Sequence, residues 1–246
     1  MISLGCAGEG EEAPTTGGAS DEASGDRRGT TGDPWRDVET KVNARSTSSF
    51  LADLGGVLFA TPVPGGNGRS CATCHDPTKS FTITPAQAEA RFQANPNDPL
   101  FRSIDADDFA SDFTTVRTKA LFRVTIPLPA NVKLVDDPAA TEVKLFRAVP
   151  SVFNVKLSAP YTSDGRAPTL DEQAKGALLE HSRPTNFVPP DVAFDLIALF
   201  QESKFSSAAV KSASGLLDAG QAPPPAGQDY DGPLTPLEQA GFETFK

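Results

Sequence analysis

Apolar side chains recur at helical spacing in three separate stretches of this 246-residue chain and at alternating positions in a fourth. Phe50, Leu51, Leu54, Val57 and Leu58 form one stripe and predict an amphipathic helix over 49–59. Leu170, Ala174, Ala177 and Leu178 form a second, opened by the capping-box pattern of Thr169 and Glu172. His181 follows Ala177 at i+4 and Leu178 at i+3, so it continues that face. Ala193, Leu196, Ile197 and Phe200 form the third, after Pro189-Pro190. Residues 85–93, rich in Ala, Glu and Gln, also predict a helix. Over 121–146 the period falls to two: Phe122, Val124, Ile126 and Leu128, then Val132 and Leu134, then Val143 and Leu145. These read as two or three short strands, with prolines favouring an edge position. The pattern predicts a mainly α protein with a small β insertion around 121–146.

The ends differ from the middle. Residues 1–40 are Gly-, Ser-, Thr-, Glu- and Asp-rich, and predict a disordered tether. That tether holds nine acidic and three basic residues of a chain whose net charge is −10, so the remainder is only mildly negative. No basic stripe is present to track a phosphate backbone, which argues against a nucleic-acid partner; a small basic protein partner suits the charge better. No apolar run approaches the length of a membrane span. Ser3-Leu4-Gly5-Cys6 looks like the end of a bacterial lipoprotein signal, which would make Cys6 a lipid attachment point; the alternative is a lone free cysteine in a disordered tail. Residues 219–234 read as a Pro/Gly/Ala linker. Thr235-Pro236-Leu237-Glu238 then opens a capped helix that runs to Lys246, as though a further domain followed. The acidic run Asp105, Asp107 and Asp108 suggests calcium, but it lacks the glycine and terminal glutamate of an EF-hand loop and reads as solvated acid.

The chemistry is concentrated in Cys71-Ala72-Thr73-Cys74-His75. C-x-x-C-H is the attachment sequence of c-type haem. On one helical turn Cys71 and Cys74 share a face and can both form thioethers, while His75 supplies the proximal iron ligand. Ser70 is a suitable N-cap for that turn. A redox dithiol would want a βαβ context, which the pattern lacks, and would not need His75. A structural zinc site needs four ligands, and His181 is the only other histidine. Haem attachment also implies export from the cytoplasm, to the periplasm or the outer face of a bacterial membrane. Met1 is the sole methionine, so a high-potential His/Met haem cannot be built here; the sixth position falls to His181, a weaker ligand, water or none.

Phe50 to Thr82, with Leu54-Gly55-Gly56-Val57-Leu58-Phe59, Gly66-Asn67-Gly68, the haem motif and Phe81-Thr82, resembles the first haem domain of bacterial dihaem cytochrome c peroxidases. Pro150 to Asn154, Asp164-Gly165-Arg166 and Glu172-Gln173-Ala174-Lys175-Gly176 resemble the second half of the same domain. The resemblance implies a cytochrome c-type haem domain over 41–218 and a second haem domain after residue 246. It also implies hydrogen peroxide as substrate, with electrons from a small donor c-type cytochrome or cupredoxin. Calcium between such domains is a further expectation that no residue here supports. The family's aromatic before Asp-Gly-Arg is replaced by Thr162-Ser163, and Arg183 stands near the place where the family has an acid/base glutamate, with Glu180 and His181 just before. His181, Gln173 and Glu180 are thus the candidate catalytic residues; Cys71, Cys74, His75 and Arg166 the candidate haem-binding ones; His75 and His181 the candidate iron ligands. His181 reads equally as distal ligand, acid/base or core histidine. Arg166 could meet a haem propionate or pair with Asp164, and Gln173 could line the pocket or bridge on the helix surface. Tyr161 could approach the haem edge or simply pack, and Phe59 and Phe81 are haem-wall packing candidates. The alternative to an oxidoreductase is an electron-transfer cytochrome without enzymatic activity.

Overall fold

The computed structural model describes residues 32–44 and 47–223, together with Pro236 and Gln239. The expectations for Cys6 and residues 1–31, and for the remainder of the linker and the capped helix up to Lys246, lie outside the described residues.

Helix α1 (Val38–Ala44) begins inside the segment 1–40 read as tether, and that boundary is corrected. Trp35 and Val38 are 1% and 0% exposed and sit in the main core. The Trp35 indole Nε1 donates to the Thr61 carbonyl at 3.1 Å, so its polar tip is satisfied while its ring is buried. One large aromatic outweighs the polar composition around it, because fully burying such a side chain is worth roughly 1.5–3 kcal/mol.

The main core is built where α2 (Ser48–Ala60) crosses α6 (Asp191–Glu202). Leu54 and Leu58 meet Ala193, Leu196 and Ile197 there, on the stripes the sequence predicted; Phe59 joins them from outside its stripe, and Val57, expected on it, is exposed. Gly55 permits the crossing: a Cβ at that position would lie 1.9 Å from the Leu196 carbonyl oxygen. Helix α5 (Leu170–Ser182) packs on α6 through Ala174 and Leu178. Its expected capping box does not form, since the Thr169 side chain makes no cap hydrogen bond. Helix α7 (Ala208–Asp218) was not anticipated from the sequence. It is capped by the Ser207 side chain, which accepts from Val210 N, and tied back by the Lys156–Asp218 pair.

A second core lies under α3 (Pro85–Ala94) and the short α4 (Thr114–Lys119), where Phe101 and Phe113 pack with Phe92. Arg117 forks onto Glu89 at 2.7 and 2.9 Å and stacks over Phe92 at 4.0 Å, clamping α4 to α3. Strands β1 (Leu121–Pro127) and β2 (Glu142–Ala148) then form a single antiparallel pair, with Phe122 opposite Arg147 and Val124 opposite Leu145. A third strand at 132–134 does not form; that stretch lies in the connection between them. Asp105 corrects the reading as solvated acid, for it is 1% exposed and ion-paired with Arg69. Asp107 and Asp108 instead hold the loop: Asp107 accepts from Thr115 N, and one Asp108 oxygen accepts from the amides of residues 110, 111 and 112.

Candidate haem site

The Cys71–Thr73 turn is a 3₁₀ helix rather than an α-helix. In that geometry residues three apart eclipse, so Cys71 and Cys74 still face the same side. Thr73 closes the start of the turn, its Oγ1 accepting from the Ser70 amide at 2.9 Å. The motif also sits at a seam: Cys71 packs against the main core and Cys74 against the second. Both thiols are free and border a cavity of about 530 Å³, within the ~300–1,000 Å³ usual for cofactor sites.

His75 borders the same cavity, and its ring is fixed by the chain just beyond it. Asp76 caps the next turn by accepting from Thr78 N at 2.8 Å. Ser80 and Phe81 then take left-handed backbone, at φ 57° and 58°. That reversal brings the Phe81 carbonyl to 3.1 Å from His75 Nδ1. A carbonyl only accepts, so Nδ1 carries the proton and Nε2 keeps its lone pair for a metal. The strain of two left-handed residues, ~1–3 kcal/mol each, is offset by burying the Phe81 ring against Phe59, Phe153 and Phe200.

Helix α5 supplies the facing residues. His181, Glu180 and Gln173 all line the cavity, so the structure brings the three predicted catalytic positions together with the haem motif. The loop before the motif holds the end of α5: Asn67 Nδ2 donates to the His181 carbonyl and Asn67 N to the Ser182 carbonyl, both at 2.8 Å. Gly66 allows this approach, since a Cβ there would lie 2.9 Å from the Ser182 carbonyl oxygen. Arg183, in contrast, is an exposed left-handed cap (φ 47°) that is not among the cavity-lining residues. Arg166 lines the cavity but its guanidinium meets Asp164 at 2.8 Å and Glu180 at 4.0 Å.

Burial sets the charge states. It pushes the Cys71 thiol up to about 12, helped by Cys74, and the Cys74 thiol up to about 11 against the pull of Arg69. It lowers both histidines below their ordinary value; His181 lies near enough to oppose charge on His75, while Glu180 and Asp105 partly support charge on His181. The site at neutral pH is therefore two thiols and two neutral imidazoles, which is the ligand form of histidine. Two residues were not read from the sequence as part of the site. Arg69 and Asp105 form a buried pair on the cavity wall, and their spacing of 36 positions leaves no local signal. The inner face of β1, with Phe122, Val124 and Ile126, was legible as a strand but not as a cavity wall.

Two neighbouring thiols, an imidazole with Nδ1 occupied and a largely apolar cavity suit covalent haem. Among the described residues no group of three or more His, Cys, Asp or Glu side chains is arranged to hold a metal ion directly. The sequence profile of the di-haem cytochrome c peroxidases matches residues 50–196, more than half of the chain. The chain belongs to that family. Membership carries haem c and peroxidase-type oxidoreductase chemistry with it, and the matched segment contains the whole constellation from Cys71 to His181. No curated protein and no solved structure matches the chain.

Proposed function

We propose that this chain is the peroxidatic part of a di-haem cytochrome c peroxidase, reducing hydrogen peroxide to two waters with two protons and two electrons. The observation that carries the reading is the shared cavity of His75, its Nδ1 held by Phe81, with His181, Glu180 and Gln173. Haem fixed to Cys71 and Cys74 would supply the redox chemistry at the oxygen–oxygen bond. The chain's own work is proton handling and water exclusion. A neutral His181 imidazole can take a proton from bound peroxide and return it to the departing oxygen. Glu180, beside Arg166, favours the charge that His181 acquires in that transfer. The Gln173 amide can orient peroxide, and the apolar face of β1 keeps bulk water from the cavity. Electrons would come from a small c-type cytochrome or cupredoxin by way of a second haem beyond Lys246. The setting would be the periplasm or the outer membrane face, with Cys6 as a lipid anchor.

The test is His181→Ala in the matured full-length protein, assayed with peroxide and a reduced donor. A loss of roughly 10²–10⁴-fold with haem content retained supports the reading; unchanged turnover overturns it. One observation favours a second reading. Arg183, near the place expected for the family's acid/base glutamate, is not on the cavity wall. If the unaltered protein cycles electrons reversibly yet never turns over peroxide, it is an electron-transfer cytochrome.

A further inference from the structure

Three arginines line the cavity, and they differ in one respect. Arg69 is ion-paired with Asp105 and donates to the carbonyls of Pro99 and Leu100 at 2.8 and 2.7 Å. Arg166 has Asp164 and Glu180. Arg147 has no ion pair or side-chain hydrogen bond among the described residues. It is nonetheless half-buried and placed on the inner face of the hairpin, directly opposite Phe122 in register and beside the apolar Val124 and Ile126. A guanidinium on the wall of a largely apolar cavity, with no protein anion on it, is placed to take a carboxylate that a ligand brings.

We infer that Arg147 is a carboxylate-binding residue of this site and that its ligand is a propionate of the haem held by Cys71 and Cys74. A porphyrin of the c type carries two propionates on the side of the ring away from its thioether positions. The planar fork of arginine fits a carboxylate with two parallel hydrogen bonds. Arg166, the arginine that the sequence pattern offered for a propionate, is already committed to two carboxylates. The β insertion thereby becomes part of the cofactor site and not an ornament on a helical domain. The inference rests on the haem reading above, and it goes further by giving the hairpin a chemical task.

The experiment compares wild type, Arg147→Gln and Arg147→Lys as matured, full-length, haem-bearing protein. The readout is the midpoint potential of the haem at Cys71 and Cys74 between pH 5 and pH 8. Removing a positive charge beside a propionate disfavours the reduced state. Arg147→Gln should therefore lower the potential at pH 8. It should also steepen the pH dependence, because an unpaired propionate takes up a proton at higher pH on reduction. Arg147→Lys keeps the charge but loses the fork, and should shift the potential in the same direction by less. If Arg147→Gln does not mature, the lysine variant carries the test alone. Potentials and pH profiles that match wild type, in a variant with full haem content, overturn the inference. Matured wild-type protein at its bare polypeptide mass would instead overturn the haem reading itself.

Discussion

Asn67 and His181 are 114 positions apart in the chain, yet the Asn67 side-chain amide donates to the His181 carbonyl at 2.8 Å. That bond joins the loop entering the haem motif to the helix that carries His181. With Asn67 N on Ser182 and Thr185 N on Gly65 at 3.1 Å, it makes one unit of two segments the sequence shows as unrelated. Asn67→Ala should lower the denaturant midpoint by the equivalent of ~1–3 kcal/mol with an unchanged slope, because a part-buried carbonyl loses its donor. Asn67→Asp should cost more, since it sets a carboxylate against the same oxygen. Equal stability of all three proteins would show that the bond carries no weight.

Asp105 neutralises Arg69 where both are almost fully buried, at 1% and 3% exposed. Asp105→Asn leaves the guanidinium charged and unpaired in the cavity wall. It should cost ~3–5 kcal/mol in urea unfolding, and replacing both residues with Leu and Met should recover most of that loss. A single variant as stable as wild type would mean that solvent reaches the pair.

Alanine normally stabilises a helix interior relative to glycine by ~1 kcal/mol. At Gly55 the sign should reverse, because the added Cβ would meet the backbone of Leu196 at 1.9 Å. We expect Gly55→Ala to destabilise by at least ~1–3 kcal/mol as α2 is pushed from α6. Thermal melts of the single variant decide the sign.

Acid should loosen the second core through Glu89. Hydrogen bonds from Arg117, then Gln93, lower its carboxyl from 4.5 to about 2. The folded value lies below the unfolded one, so this contribution is complete above about pH 4.5 and is lost as the pH falls toward 2. Glu89→Gln should be less stable than wild type at pH 7 and equal to it below pH 2. Asp164, held at about 2 by the Thr162 hydroxyl and Arg166, should behave alike. A pH-independent gap between either pair would contradict the assignment.

Haem-free chain offers a test of the thiols. With Cys71 raised to about 12 and Cys74 to about 11, the reactive thiolate is scarce at pH 8. Alkylation of the folded apo form should be slow there and rise roughly tenfold per pH unit to beyond pH 10, with Cys71 slower than Cys74. The unfolded chain should level off near pH 9. Matching profiles for the two states would refute the burial of the thiols.

What the sequence alone determined was whatever depends on neighbours in the chain. The Cys71–His75 spacing named the cofactor, and the stripes at 49–59, 170–178 and 193–200 placed three helices, because side-chain period and contiguous ligands are local properties. It failed where one residue acts against its surroundings or across long separations. Trp35 lies in polar sequence, so composition hid that it belongs to the core. Asp105 sits in an acidic run, and only folding sets it on Arg69. Nor could the alternation in β1 reveal which way its apolar face would turn, since period two fixes two faces but not what either meets. Only the packing of the hairpin over the cavity decided that, and with it the place of Arg147.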